Sequence, residues 1–268
     1  MYFMVLNCIS FLALLLIAEN SFSQKARKSK NAPPGTVQVN DTLYVDVTEV
    51  ANVHWREYLH YIQKYDSTSL GKALPDTLVW TSDTTFNPLT QYYFSHPGFN
   101  IYPVVGVSYE QAIRFCQWRS DRVNELFSKQ PESKRPFKKV TYRLLTKKEW
   151  EAIASGNLSV EKFPFGYDGT YRKWKGKYWK IFNCLYKSET VKLDKQKTYY
   201  TAPTKSFFKN SSGIYNMIGN VAEMVAEKGI AKGGSFLHSL DSCKIVFDQY
   251  YTGPADWLGF RCIAVVEK

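Results

Sequence analysis

The stretch Gly213-Ile-Tyr-Asn-Met-Ile-Gly-Asn-Val-Ala-Glu223 is the longest of five that together indicate the fold of this chain. Its glycines and asparagines favour a tight turn, and a glycine-containing turn lets backbone carbonyls point inward. Other short stretches accompany it in a fixed order. They are Pro103-Val-Val-Gly-Val-Ser-Tyr-Glu-Gln-Ala112, Tyr142-Arg-Leu-Leu-Thr-Lys-Lys-Glu-Trp150, Lys232-Gly-Gly-Ser235 and Gly259-Phe-Arg-Cys262. Each stretch alone is a weak signal, so the assignment depends on their order and spacing.

Together these stretches resemble the formylglycine-generating enzymes, also called sulfatase-modifying factors, between residues 36 and 266. The resemblance implies a single α/β domain related to C-type lectins, with much irregular loop. The residues around His96-Pro-Gly-Phe99 are further similar to a branch of envelope proteins from the gliding and type IX secretion systems of Bacteroidota. We therefore expect one domain over residues 36–268.

Local sequence patterns predict both strands and helices. Apolar residues alternate on both sides of Asn40-Asp41, which predicts an opening hairpin with a two-residue turn. From Val53 to Tyr65 the apolar residues recur at steps of three and four, which predicts an amphipathic helix capped by Asn52. The pattern from Val140 to Leu145 predicts a strand. The fold is thus expected to begin at Thr36.

Two capping boxes predict two further helices. The first spans Ser108 to Gln111 and predicts a helix over Tyr109 to Phe127. The second spans Thr146 to Glu149 and predicts a helix that ends at Gly156. From there to Gly213 the chain is rich in Tyr, Trp and Lys, and we expect irregular structure. No internal repeat and no linker interrupts the domain, which predicts a single unit.

The first residues read as an export signal. An apolar run from Ile9 to Ala18 is followed by small residues before Gln24, which predicts a signal peptide over residues 1–23. No Lys or Arg precedes Lys25, so a retained membrane anchor is the alternative. Residues 24–35 combine charge with Pro and Gly, which predicts a flexible leader. We expect an exported protein of the periplasm or cell envelope, without a transmembrane span once the signal is removed.

The chain is strongly basic. Its 268 residues carry a formal net charge of +11, and removal of residues 1–23, which contain Glu19 and no basic residue, gives +12. Such a charge attracts an anionic partner such as a polysaccharide or lipid headgroups. The alternative is a solvated, lysine-rich surface, because the basic residues are scattered. For an exported protein we expect no nucleic-acid partner.

Four cysteines remain after removal of the signal. They are Cys116, Cys184, Cys243 and Cys262. Their spacings match no zinc pattern, and an even number in an oxidising compartment predicts one or two disulfides. The family resemblance implies a bridge between Cys116 and Cys262, with two buried thiols as the alternative. The sequence leaves open whether Cys184 and Cys243 pair.

The resemblance also implies structural calcium. Family members bind it in a turn, and the matching positions here are Asn216, Gly219, Val221 and Glu223. Calcium prefers hard oxygen ligands such as these carbonyl and carboxylate groups. A capped turn without a metal is the alternative. A second family site would use Asn183 and the carbonyl of Cys184, with Asp194 as a guess at its acidic ligand.

Only one of the two catalytic cysteines implied by the resemblance is present. In the enzymes two cysteines, five residues apart after an R-G-G-S motif, bind copper(I), which prefers soft thiolates, and activate oxygen to oxidise a substrate cysteine. Counted from Ser235, these positions hold His238 and Cys243. Lys232 in place of Arg, and Trp257 in place of Asn, are further departures. An imidazole has therefore replaced one of the two thiolates.

Other catalytic motifs are absent from the sequence. It contains no glycine-rich phosphate loop, no G-x-S-x-G elbow and no H-x-x-x-H pair. We therefore expect a non-catalytic binding or assembly module of the bacterial envelope. The alternative is a copper-dependent oxidase that converts a protein cysteine to formylglycine through Cys243 and His238.

Aromatic side chains are the candidate binding surface of such a module. They can line a site for sugar rings or for a protein partner, or they can fill the interior of a loop-rich fold. The residues in question are Tyr92, Tyr93, Phe94, Tyr171, Trp174, Tyr178 and Trp179.

Overall fold

A four-stranded antiparallel sheet joins the two ends of the domain. The computed structural model describes residues 31–82, 87–186 and 200–268, so the predicted signal peptide and most of the predicted leader lie outside the described residues. The strands are β1 (Thr36–Gln38), β2 (Leu43–Asp46), β3 (Lys139–Leu144) and β10 (Cys262–Glu267), in the order β1-β2-β10-β3. The first strand begins at Thr36, as predicted.

The turn of the opening hairpin is one residue longer than predicted. Val37 pairs with Val45, and the amide of Val39 donates to the carbonyl of Leu43 over 2.8 Å, which leaves residues 40–42 in the turn. The Asn40 side-chain oxygen accepts from the amides of Thr42 (3.0 Å) and Leu43 (2.9 Å). This side-chain bonding stabilises a three-residue turn, so the prediction of a two-residue turn was wrong.

Five α-helices lie among the described residues. They are α1 (Asn52–Tyr65), α2 (Leu70–Ala73), α3 (Asn87–Tyr92), α4 (Tyr109–Ser128) and α5 (Lys147–Ser155). Both predicted capping boxes are present, at the first residues of α4 and of α5. Gly156 ends α5 with a positive φ of 60°, a conformation that glycine adopts without steric cost.

The N-cap of α1 differs from the prediction. Ala51 is the N-cap, and its amide donates to Nδ1 of His54 over 3.2 Å. Asn52 lies inside the helix, where its side-chain amide donates to the carbonyls of Tyr93 (3.1 Å) and Phe99 (3.0 Å). The Asn52 side chain is therefore used to hold a distant loop and does not cap its own helix.

Helix α4 covers the edge of the first sheet that β3 forms. Because β3 is the last strand in the sheet order, one side of its backbone has no strand partner. Asn124 accepts from the amide of Val140 and donates to its carbonyl, both over 2.8 Å, and the Ser120 hydroxyl accepts from the amide of Tyr142 over 2.8 Å. Side chains of α4 thereby satisfy backbone hydrogen-bonding groups of β3, and the helix protects this edge from pairing with another chain.

A second sheet and a separate hairpin complete the structure. The second sheet consists of β6 (Ala222–Met224), β7 (Ile230–Lys232), β8 (Asp248–Tyr250) and β9 (Leu258–Gly259), in the order β8-β7-β6-β9. The hairpin consists of β4 (Tyr171–Trp174) and β5 (Lys177–Lys180). The sequence pattern predicts irregular structure here, and the paired strands show that this prediction was wrong. Lys175 and Gly176 both have positive φ, as a tight hairpin turn of this kind requires.

The first sheet packs on both faces. Along β10, Cys262, Ala264 and Val266 enter the core beside α1 and α4, whereas Ile263 enters the core beside α5 and the 213–223 turn. This alternation is the period of two expected of a strand buried on both sides. None of the described helices is both long and apolar enough to cross a membrane.

Candidate functional site

The 213–223 turn is a buried polar structure. Asn216 and Asn220 adopt left-handed φ angles of 52° and 66°, and Gly219 has a φ of 75°. A Cβ atom on Gly219 would lie 2.6 Å from the carbonyl oxygen of Asn183, so only glycine fits there. The turn directs the side-chain amide of Asn220 to Oε1 of Glu49 over 2.7 Å, and that of Asn216 to Oε2 over 3.3 Å.

Glu223, at the end of this turn, forms a buried ion pair with Arg261. The two side chains are 1% and 0% exposed. Arg261 donates through Nε to Oε2 over 2.7 Å and through Nη2 to Oε1 over 2.5 Å, and the Trp150 indole also donates to Oε2 over 2.8 Å. Arg261 further donates to the carbonyls of Asp46 and Tyr215. This guanidinium, on the residue that precedes β10, therefore joins β2, β6 and the turn.

These contacts bear on the predicted calcium ligands Asn216, Gly219, Val221 and Glu223. All four lie in or next to one turn, but both carboxylate oxygens of Glu223 already accept from nitrogen donors. A calcium ion on Glu223 would lie beside the positive charge of Arg261, so the acidic ligand as arranged does not fit a calcium ion. Calcium binding stays a prediction from the family resemblance.

The predicted second calcium position has structural partners. Asn183 donates from its side chain to the carbonyl of Tyr200 and to the side-chain oxygen of Asn220, each over 3.1 Å. Its carbonyl accepts from the Asn220 amide over 2.8 Å. Asp194 lies outside the described residues. Among the described residues, no group of three or more His, Cys, Asp or Glu side chains could hold a metal ion.

Glu49 is a buried carboxylate that the sequence analysis missed. Its side chain contacts Asn216 and Asn220, and the residue is 1% exposed. Burial is the main cause that raises its pKa to about 8, with the charge of Glu223 adding to the rise and that of Arg261 opposing it. The signal available in the sequence is a single Glu between the apolar residues Val47 and Val50, which does not point to a site by itself.

His238 lies against Ser235 and Trp257. Its Nδ1 hydrogen-bonds the Ser235 hydroxyl over 2.7 Å, and its ring packs edge-on against the Trp257 indole at a centroid distance of 5.1 Å. Burial lowers the pKa of His238, which favours the neutral imidazole. Ser235 is fully buried and also accepts from the Leu237 amide over 3.2 Å. The Ser235 hydroxyl therefore positions the loop and the imidazole.

Cys243 takes a different partner. Its side chain is fully buried and packs so closely on Gly234 that a Cβ atom there would lie 2.3 Å from its Sγ. Cys184 is its neighbour in the same buried cluster, and the interaction of the two thiols, together with burial, raises the pKa of the Cys184 thiol. The two cysteines whose pairing the sequence left open are therefore in contact, whereas His238 and Cys243 contact different groups.

The other two cysteines also lie together. The Sγ atoms of Cys116 on α4 and Cys262 on β10 are 3.4 Å apart, and both residues are buried. Burial and the hydrogen bond with Cys116 raise the pKa of the Cys262 thiol. The bridge between them stays a prediction, and the two sulfurs are close enough for it to form with a small movement.

Lys232 is a buried structural residue. Its side chain is fully buried, and Nζ bonds Glu151 over 2.7 Å and Asp248 over 2.9 Å. Asp248 in turn bonds Lys147 over 2.6 Å. This ion-pair network ties α5 to the second sheet beside Trp150, 5.9 Å from the ammonium group.

The predicted aromatic residues do not share one environment. Tyr93 is 2% exposed and belongs to a buried cluster, so of the two alternatives left open by the sequence it fills the interior. Its hydroxyl bonds the Pro103 carbonyl and the Thr201 hydroxyl, each over 2.7 Å. Phe94 is partly buried beside the guanidinium of Arg56. Tyr92 closes α3, whereas Tyr171, Trp174, Tyr178 and Trp179 belong to the β4–β5 hairpin.

Known protein sequences resemble the chain over most of its length. Residues 10–266 match the model of the sulfatase-modifying factor enzyme 1-like domain. The chain is 23% identical to the formylglycine-generating enzyme of Mus musculus, with 89% of this chain and 70% of that protein covered. It is 25% identical to inactive C-alpha-formylglycine-generating enzyme 2 of Bos taurus, with 60% of this chain and 50% of that protein covered.

A bacterial relative is the formylglycine-generating enzyme of Thermomonospora curvata, 30% identical over 47% of this chain and 33% of that protein. The chain thus spans half or less of the length of two of these relatives. Solved structures with a similar fold include CarF, with a TM-score of 0.52, 18% identity and coverage of 84% and 87% of the two chains.

A second similar structure is PvdO from Pseudomonas aeruginosa, with a TM-score of 0.51, 19% identity and coverage of 84% and 80% of the two chains. At these identities the structural likeness concerns the fold alone. The family model covers nearly the whole sequence, including the buried 213–223 turn and its ion pair. The chain therefore belongs to the sulfatase-modifying factor enzyme 1-like (FGE-sulfatase) family.

Proposed function

We propose that this protein is a non-catalytic member of its family that binds a partner in the cell envelope. One observation supports this proposal. His238 and Cys243, at the two positions where the enzymes have cysteines, contact different groups. His238 is bonded to Ser235 and packed on Trp257, while Cys243 lies in the core against Cys184 and Gly234.

Copper(I) chemistry of the family type requires two soft ligands facing one ion. Nδ1 of His238 is already in a hydrogen bond with Ser235. The fully buried Cys243 has neither a second cysteine in its own loop nor exposure to solvent. Two of the relatives, from Bos taurus and Mus musculus, are named as inactive formylglycine-generating enzymes, which fits a family that also includes non-catalytic members.

The β4–β5 hairpin is the surface best suited to binding. Between Tyr171 and Lys180 it carries five basic residues and no acidic one. Its tip is exposed, as are Arg172, Lys173 and Tyr178, the last with 57% of its surface accessible. Positive charge beside an aromatic face suits an acidic polysaccharide, because the charges attract the anionic groups and the ring packs on the sugars.

Removing charge from the hairpin tip should weaken binding to an acidic glycan. We expect the variant Lys173→Gln, Lys175→Gln, Lys177→Gln to bind immobilised dextran sulfate at least about tenfold more weakly, since each lysine near an anionic surface contributes roughly 1 kcal/mol. The measurement is the dissociation constant at fixed ionic strength, together with its dependence on salt.

A matched control removes the same charge from another basic cluster. The variant Lys134→Gln, Lys138→Gln, Lys139→Gln also loses three exposed lysines, and we expect it to retain most of the affinity. Equal losses in the two variants would mean that net charge alone drives binding and would contradict a role for the hairpin. Retention on neutral dextran would show that the anionic groups are not what is recognised.

A further inference from the structure

Two distant segments bring Cys184 and Cys243 together. The Leu185 amide donates to the carbonyl of His238 over 2.9 Å, and the Leu240 amide donates back to the carbonyl of Leu185 over 2.8 Å. A short 3₁₀ helix over Leu240–Cys243, capped by Ser239, then returns the chain so that Cys243 enters the same core cluster as Cys184. The backbone therefore fixes both cysteines independently of any bond between their sulfurs.

The surroundings of the two sulfurs favour a neutral group. Both residues are buried, and their cluster is apolar, with Phe182, Ile245 and Ile218 among its members. A soft metal would require both sulfurs as thiolates, and a buried, apolar cluster disfavours two negative charges side by side. A disulfide is uncharged and needs no further ligand, so it suits this site better than a metal does.

We propose that Cys184 and Cys243 form a disulfide that consumes the remaining cysteine of the family's catalytic pair. The two thiols lose two protons and two electrons, and the sulfur–sulfur bond forms as an oxidised dithiol donor or glutathione disulfide is reduced to two thiols. The bond would lock the 183–185 segment to the 238–243 loop and hold His238 on Ser235. It follows from the backbone pairing of the two segments and the common cluster of the two cysteines, and it does not depend on glycan binding.

Tryptic mapping of the full chain tests this proposal directly, because each of the four described cysteines falls in its own tryptic peptide. Cys184 lies in residues 181–187, Cys243 in 233–244, Cys116 in 115–119 and Cys262 in 262–268. The protein is equilibrated in glutathione buffers from reducing to oxidising, alkylated under denaturing conditions and digested. We expect peptides 181–187 and 233–244 to be linked in the oxidising buffers and fully alkylated in the reducing ones.

The variant Cys184→Ser provides the control. In it Cys243 should be alkylated in every buffer, while the state of Cys116 and Cys262 should follow that of the unmodified chain. Full alkylation of Cys184 and Cys243 in the unmodified chain under oxidising conditions would overturn the proposal, as would a link from either to Cys116 or Cys262. These outcomes concern the mapping of the unmodified chain, so they remain decisive if the variant does not fold. Dextran sulfate binding is measured on the same samples and can fail or succeed separately.

Discussion

Replacing Arg261 by methionine should lower the free energy of unfolding by about 3–5 kcal/mol, the usual cost of removing one partner from a buried ion pair. Arg261 is fully buried, and its donors satisfy both oxygens of Glu223 and two backbone carbonyls. Without it, the buried carboxylate of Glu223 would lose the guanidinium that bonds both of its oxygens. Urea unfolding followed by circular dichroism measures the change.

An exposed ion pair provides the comparison. Lys228 bonds Glu110 on the surface, where both side chains are more than half accessible. Because solvent and salt screen such a pair, Lys228→Met should leave the unfolding midpoint essentially unchanged. Equal, small effects of Arg261→Met and Lys228→Met would contradict the central structural role given to Arg261.

The stability of the protein should fall as the pH rises from about 5 to about 8, because of Glu49. Its pKa is raised from 4.5 to about 8 in the folded state. Between these values the folded protein keeps the Glu49 proton and the unfolded chain has lost it, so stability decreases with rising pH by about 1.4 kcal/mol per unit at most. The stabilisation by protonated Glu49 is fully present below the pKa that Glu49 has in the unfolded chain. It is lost as the pH rises through the pKa of Glu49 in the folded protein.

The variant Glu49→Gln isolates this contribution. Glutamine resembles the protonated carboxyl group and can still accept from Asn220, so the variant should lose the Glu49 part of the pH dependence. Subtracting the free energy of unfolding of the variant from that of the unmodified protein cancels the pH dependence due to other groups. These include His238 and Asp256, and burial raises the pKa of Asp256 to about 6. Stability curves that run parallel from pH 5 to 9 would contradict the assignment of a buried, protonated Glu49.

Much of the fold was predictable because its signals are local. Capping boxes identify the first residues of α4 and α5, since a hydroxyl and a carboxylate or amide three residues apart satisfy the first free backbone amides. The β4–β5 hairpin carried a weaker signal, Lys175-Gly176 between alternating aromatic and basic residues. It was missed because the aromatic residues were read as loop.

The candidate site was less predictable because its contacts join distant residues. Nothing in the sequence near Cys184 indicates that backbone bonds at Leu185 bring it to a residue 59 positions later, Cys243. The sequence motif likewise identifies Glu223 as an acidic residue but does not indicate that the guanidinium of Arg261 bonds it. Sequence motifs therefore identify which residues form the site, whereas the residues that each of them contacts are known only from the structure.

Copper(I) titration, followed by incubation with a cysteine peptide of the sulfatase type under oxygen, tests the non-catalytic assignment most directly. The full chain is used after reduction, so that a disulfide cannot mask Cys243, and His238→Cys serves as a matched variant that restores the family's spacing of two cysteines. We predict no stoichiometric copper(I) binding and no conversion of the peptide cysteine to an aldehyde by the unmodified chain. One copper ion bound per chain, with aldehyde formation that Cys243→Ser abolishes, would contradict the account.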